Sequence, residues 1–448
     1  MSLRDFLELM EKEDQVLHVM DDVSPKFEIS YIVKRFDKDG PILLFEKVSG
    51  GINRVVANVC GTRNRICEAL GVNGTELYHK LLEACRSPIK PKIANDGVVC
   101  EVVEEPNLLK LPVLTHFERD AGPYITASVI HAKSPDGAFE NVSIHRLQLL
   151  DERHLAIRLV PRHLYRLWCL AKEAKKDLEV AISIGTHPAV MLAAASSPPF
   201  GVNEFAVANT LLGGKLRLIK CMHVDAYAPA DAELVLEGKI SISREAMEGP
   251  LVDITGTYDV QRMQPIVEIL GIMHRGDYLY QAVLPSGSEH RLLMGLPREA
   301  AIYEAVSKVV PKVHAVNLSV GGGGWLHAVI SIEKQVDGDG KNAILAALAA
   351  HPSLKHVIAV DPDINVFDVS DVEWAIATRF QANEDLLIIE NARGSTLDSS
   401  ADQETGLTAK MGIDATCPMT KPKEKFEKAK IPVNERVEGL IRKLLSPK

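Results

Sequence analysis

The sequence predicts an α/β fold with a β-rich centre: an N-terminal α/β domain over residues 1–105, a β-rich domain over 106–300 and a C-terminal α/β domain over 301–448. Three observations carry this. At 448 residues the chain exceeds one ordinary core, and roughly 150 residues per domain gives about three. Short apolar segments suited to strands, separated by turn residues, crowd the middle of the chain. Beyond Pro297, strand and helix patterns alternate.

Each element follows from its pattern. Leu3, Phe6, Leu7 and Met10 recur at helical spacing, as do Tyr78, Leu81, Leu82 and Cys85. ILLFEKV and RVVANVC read as strands, and Ser49-Gly50-Gly51 between them predicts a hairpin. In the middle, YITASVIHAK, VSIHRLQLL, HLAIRLV, LEVAISIG, KLRLIKCM and AELVLEGKISI read as strands of a barrel or sandwich. Helices at 163–175 and 202–212 interrupt them. After Pro297 come helix AAIYEAVSKVV, strand VHAVNLSV, the run Gly321 to Gly324, strand WLHAVISIEK, helix KNAILAALAAH, strand HVIAVDP and helix DVEWAIATRF. That alternation predicts a largely parallel sheet. Residues 393–418 read as loop, and the basic amphipathic tail as a packed terminal helix.

Composition excludes several classes. A formal charge of -9 argues against a nucleic-acid surface, which needs clustered Lys and Arg. No apolar run approaches the roughly 20 residues of a membrane span. The opening MSLRDFLELMEKED is acidic and amphipathic, unlike a signal peptide. Seven cysteines without a C-x-x-C pair suggest reduced thiols in a cytoplasmic protein.

Two constellations could carry chemistry. Asn141, His163 and Glu204 offer two oxygen ligands and one nitrogen, a set suited to Mg²⁺ or Mn²⁺ rather than zinc. From spacing alone, a helix-start histidine and a solvated carboxylate account for them better. Arg146 with Glu248 and Asp253 joins an arginine to two acids, and carboxylates in unlike settings can supply an acid and a base. Asp253 reads as lying two residues into a strand, and a structural ion pair explains this set equally well. Gly321 to Gly324 lacks the G-x-G-x-x-G spacing and reads as a flexible loop or a close-approach turn. Asp361 and Asp363 could bind a cation or cap a turn, and the turn-rich loop 195–201 could contact phosphate or a monovalent ion or be a plain connection.

Taken in order, LPVLTHFERDAGPYIT (111–126), NVSIHR (141–146), IGTHPA (184–189), PPFGVNE (198–204), LEGKI (236–240), EGPLVD (248–253), VDPDINV (360–366), WAIATR (374–379) and KMGIDAT (410–416) resemble the UbiD-type decarboxylases. The resemblance implies a central split β-barrel (FMN-binding-like) and a C-terminal α/β domain that supports homo-oligomers, dimeric or hexameric. It implies prenylated FMN as cofactor, made by a flavin prenyltransferase, with Mn²⁺ (or Mg²⁺) on its phosphate at Asn141, His163 and Glu204. A potassium ion would sit on carbonyls of Ser196, Ser197 and Pro198. Further cofactor contacts would come from Ile144, His145, Arg146, Arg158, Leu159, Val160, His163 and Leu164. Arg146 and Glu248 match the family's paired arginine and glutamate, and Asp253 its proton donor. The implied reaction is non-oxidative decarboxylation of a small α,β-unsaturated acid. The archaeal branch acting on trans-anhydromevalonate 5-phosphate, on the way to isopentenyl phosphate, is the expected match. An aromatic acid such as a (polyprenyl) 4-hydroxybenzoate is the alternative substrate. An ordinary FMN oxidoreductase is the rival of another class.

Overall fold

A nine-stranded antiparallel sheet dominates the computed structural model, which describes residues 1–445 except 52, 430 and 433. Its main path runs Tyr124–Ile125, Leu147–Leu149, His154–Ile157, Arg262–His274, Leu234–Glu248, Leu178–Ile184, Val129–Lys133, Glu140–Ile144. The two ends of this path are joined along the chain. Glu140–Ile144 lies last, Leu147–Leu149 lies second, and only His145 and Arg146 separate them. A link of two residues spans about 10 Å at most. The sheet must therefore curl until its edges nearly meet, and His145 and Arg146 sit at the seam. The strand expected over VSIHRLQLL is thus broken there. Inward-facing Ile130, Leu147, Leu155, Val180, Ile182, Leu236 and Val267 fill the core.

The N-terminal sheet pairs Val16–Val23 with Ile42–Val48 and Arg54–Ala57, the last two as the expected hairpin. Its fourth strand, Leu279–Ala282, returns from far along the chain. Helix Leu3–Lys12 begins with a reciprocal cap between Ser2 and Asp5 and buries Leu3, Phe6, Leu7 and Met10. Helix Pro188–Ser196 escaped the sequence reading. It is apolar on all sides and buried from Pro188 to Ala194, so it carries no periodic stripe to find.

The C-terminal part differs from expectation in four places. Pro297 does not open it but lies inside helix Ser288–Val306, so the boundary drawn at 300 falls within that helix. Pro297 forfeits one backbone bond there and stays buried. Within 393–418 the stretch 394–406 is loop as expected, but Leu407–Ala415 is a strand that pairs antiparallel with Leu386–Arg393. The sheet order Lys312–Leu318, His327–Glu333, His356–Val360, Leu407–Ala415, Leu386–Arg393 is consequently mixed, with parallel pairs only at its centre. The tail does form helix Glu435–Leu445, started by the Asn434 side chain, but Val437, Leu440, Ile441 and Leu444 on its apolar stripe are exposed. No helix among the described residues is long and apolar enough to cross a membrane.

Helix Ser288–Val306 ties the parts together through Glu289, which is 2% exposed. Its Oε1 accepts the Cys60 amide at 2.8 Å, while Oε2 has no partner. Burial pushes this carboxyl up to about 7, against the pull of that amide and of Arg65. The folded chain therefore holds the proton more tightly than the unfolded chain. Stability contributed by the neutral acid is complete at low pH and is lost as pH rises from the unfolded value towards about 7. The loss is on the order of 3 kcal/mol. Glu289→Gln should narrow the difference in urea midpoint between about pH 5.5 and pH 8. An unchanged difference would contradict this account.

Candidate active site

The seam delivers Arg146 into a cluster of acids. Its Nε donates to Glu248 Oε1 at 2.9 Å and its Nη2 to Glu248 Oε2 at 3.1 Å, a two-pronged pair. Nη1 reaches Asp253 Oδ2 at 3.2 Å. Nη2 also reaches Asp259 Oδ2 at 2.9 Å. Glu248 ends strand Leu234–Glu248 and is wholly buried, whereas the Asp253 side chain is 22% exposed. Burial opposes the charge on Arg146, but Glu248 and then the two aspartates leave it held more firmly cationic than usual.

Asp253 does not lie in a strand as expected. Strand Leu251–Val252 stops before it, and the chain turns through Asp253–Thr257, closed by the Asp253 amide on the Thr257 carbonyl at 3.0 Å. Gly256, at φ +83, makes the turn possible. The returning strand Tyr258–Asp259 pairs with Leu251–Val252 and sets Asp259 opposite Leu251. Asp259 was missed in the sequence because only this reversal brings it to Arg146. Burial works against its charge, yet Arg146, Arg262 and Arg158 hold its carboxyl below the ordinary range.

Asn141, His163 and Glu204 also meet. Glu204, 2% exposed, begins helix Glu204–Leu211 behind the Asn203 cap and accepts the Val142 amide at 2.6 Å. Asn141 Nδ2 donates to Glu204 Oε1 at 2.9 Å, and His163 Nδ1 stands 3.8 Å from the same oxygen. The solvated carboxylate favoured by spacing is thus replaced by a buried one facing an imidazole. Among the described residues no group of three His, Cys, Asp or Glu gathers as a metal set, so a cation here would depend on the Asn141 amide. Its neighbours leave the amide oxygen available. Burial pushes His145 down to about 4, so its neutral ring donates Nδ1–H to the Arg158 carbonyl, 3.1 Å away. Nε2 can then only accept, and it takes the single proton of Ser143, 2.9 Å away. Ser143 then has none for Asn141 Oδ1. Half a turn of the amide about its last torsion exchanges oxygen for nitrogen beside Glu204. The donor set becomes one amide oxygen, one carboxylate and one imidazole, which fits a hard divalent cation.

Both groups face one cavity of about 630 Å³. Asn141, Ile144, His145, Arg146, Arg158, Val160, His163, Leu164, Ser197, Glu204 and Asp253 line it. Other expected contacts do not. Glu248 stands behind Arg146, and Leu159 turns its side chain into the barrel core. Ser196 bonds the Ala193 carbonyl, and Pro198 lies outside the lining. The opposite wall comes from beyond the barrel, through His290, Arg298, Trp325 and Arg393. No sequence signal marked them, because they gather only when the C-terminal part docks. His290 accepts the Ser286 amide at 3.0 Å, and burial keeps its ring neutral against the pull of Asp253. Gly323 approaches the Asp253 turn closely: a Cβ there would lie 3.3 Å from the Ile254 carbonyl oxygen. Asp361 and Asp363 are not a cation site, since both pair with the buried Arg379 at 2.7 and 2.6 Å.

The 3-octaprenyl-4-hydroxybenzoate carboxy-lyase models match three stretches: the N-terminal domain at residues 7–85, the Rift-related domain at 92–288 and the C-terminal domain at 291–415. The anhydromevalonate phosphate decarboxylase of Methanothermobacter thermautotrophicus is 44% identical over 426 residues, covering 95% of this chain and 99% of the relative. The chain belongs to the UbiD family. A gallate decarboxylase of Lactiplantibacillus plantarum is 31% identical over 472 residues, covering 95% and 96% of the two chains. Among solved structures, the UbiD-class enzyme HmfF from Pelotomaculum thermopropionicum in complex with FMN has a TM-score of 0.94 at 41% identity, covering 97% of this chain and 98% of that one. An evolved dimeric form of HmfF in complex with prFMN has a TM-score of 0.90 at 39% identity, covering 96% and 97%. The expected fold class, with mixed α/β parts about a β-barrel, is the UbiD fold.

Proposed function

We propose that the protein is a prenylated-FMN-dependent decarboxylase converting trans-anhydromevalonate 5-phosphate to isopentenyl phosphate. The observation carrying this reading is the single cavity shared by Arg146 with its acids and by the Asn141–His163–Glu204 set. The substrate rests on 44% identity to the methanogen enzyme, against 31% to the gallate decarboxylase. When bound, prenylated FMN supplies an electrophilic carbon and an electron sink for the charge left by departing CO₂. Asn141, His163 and Glu204 would hold its phosphate through Mn²⁺ or Mg²⁺, with carbonyls of Ser196, Ser197 and Pro198 nearby for K⁺.

The chain's own residues supply the rest. Asp253 is the most open of Arg146's three acids and makes the longest contact with it, so its place on Nη1 is the easiest to yield. The substrate carboxylate takes that place, oriented by a guanidinium that Glu248 and Asp259 still hold. Asp253, freed from Nη1, is left to carry a proton. Asp253 then passes its proton to the carbon that loses CO₂ and recovers one from solvent. His290 and the Gly323 approach close off the far side, limiting water.

A flavin prenyltransferase as cofactor supplier belongs to this reading. So does assembly into dimers or hexamers, supported by the exposed stripe Val437, Leu440, Ile441 and Leu444. Seven free thiols support a cytoplasmic location. The test is to produce the protein with a flavin prenyltransferase, record its visible spectrum, and compare CO₂ release from anhydromevalonate phosphate with release from hydroxybenzoates. CO₂ from the phosphate alone is expected. Turnover of an aromatic acid in its place would overturn the substrate, and nicotinamide oxidation without CO₂ would overturn the reaction.

A further inference from the structure

We infer that Arg162, Arg298 and Arg393 form a seat for a phosphate dianion on the substrate, set apart from the place that receives its carboxylate. The inference rests on the proposed function for the identity of that substrate. The three guanidiniums reach one cavity from separate elements: the residue preceding helix His163–Glu173, helix Ser288–Val306, and the end of strand Leu386–Arg393.

Their surroundings set them apart from the other arginines of the cavity. Arg146 and Arg158 share Asp259, at 2.9 and 3.4 Å. Among the described residues no carboxylate lies within ion-pair distance of Arg162, Arg298 or Arg393. Their charges instead act on one another. Arg298 is pushed down to about 10 by burial and then by Arg162. Buried His351 is pushed down to about 3 by burial and then by Arg298, with Arg162 adding to it. Trp325 lies 5.8 Å beneath the Arg298 guanidinium and limits its retreat. Like charges gathered without a counter-ion leave a strong positive potential, and a cavity concentrates it.

The missing partner is a multivalent anion. Arginine prongs match phosphate oxygens, and Ser353 and Thr396 on the same lining add hydroxyl donors. Two other anions are already placed. The flavin phosphate belongs with Asn141, His163 and Glu204, and the substrate carboxylate belongs at Arg146. A substrate with one anionic group would leave the arginine seat without a ligand, whereas a phosphorylated acid occupies both places.

The test uses the flavin-loaded enzyme with Arg298→Gln and Arg393→Gln made singly. Flavin content, KM and kcat on anhydromevalonate phosphate, and calorimetric binding of 3-methylbutyl phosphate are measured. Each variant should keep wild-type flavin content while KM and the probe's Kd rise roughly 10- to 100-fold, the range expected for one charge-assisted contact. Loss of flavin would overturn the inference by giving these arginines to the cofactor phosphate. A fall in kcat with KM and probe binding unchanged would overturn it as well. Should the wild type release no CO₂ from the phosphate, the proposed substrate falls. The seat then stands only if the wild type still binds the probe and the variants bind it more weakly.

Discussion

Asp253→Asn is expected to keep its flavin and lose turnover, with kcat falling by roughly 10²- to 10⁴-fold, the range for a lost general acid. The substitution is nearly isosteric. Asp253 accepts Arg146 Nη1 on Oδ2 at 3.2 Å and the Ile254 amide on Oδ1 at 2.6 Å, and the single Asn oxygen can keep one of these two contacts. The turn Asp253–Thr257 is closed by backbone bonds and does not depend on the side chain. Folding and cofactor content should therefore survive, and the amide has no acidic proton to deliver. Loaded enzyme assayed for CO₂ release, with flavin quantified in the same sample, separates the two effects. Turnover within about threefold of wild type would remove Asp253 as the donor.

Glu204→Gln should remove metal and flavin together. Glu204 is the sole carboxylate of its set and is almost fully buried, so replacing it leaves one neutral amide facing another. A divalent cation held by His163 and two amides loses its only anionic protein ligand, and ligand changes at such sites reduce affinity steeply. The carboxylate also accepts the Val142 amide, so the barrel strand beside it should loosen only slightly. Metal analysis and the flavin spectrum of the purified variant are the measurements. Unchanged occupancy of both would refute the assignment.

Some of this was legible one residue at a time. Helix Leu3–Lys12, the hairpin at Ser49–Gly51 and most barrel strands follow from local periodicity, because one face of each element is buried. The failures are equally specific. Helix Pro188–Ser196 is buried on every side and so has no stripe. Pro297 reads as a boundary but sits inside a helix whose packing outweighs one lost bond. Strand Leu407–Ala415 reads as loop because it mixes Lys410 and Asp414 with apolar residues and does not alternate cleanly. At the site, Arg146, Glu248 and Asp253 were nominated from residue type and resemblance, yet spacing alone could not separate them from an ordinary ion pair.

The sequence by itself determined the helices and strands with one buried face and the family to which its ordered motifs belong. Tertiary structure decided which charges meet. Asp259 joins Arg146 only after the chain reverses at Gly256, and Arg162, Arg298 and Arg393 converge only when three distant segments wall one cavity. The reason is physical. Periodicity records which face of an element is buried, whereas a charge's partner depends on separations of a few ångströms between residues far apart in the chain. The seam at His145 and Arg146 joins the two levels, since a two-residue link read from sequence becomes a cavity wall once the sheet curls closed.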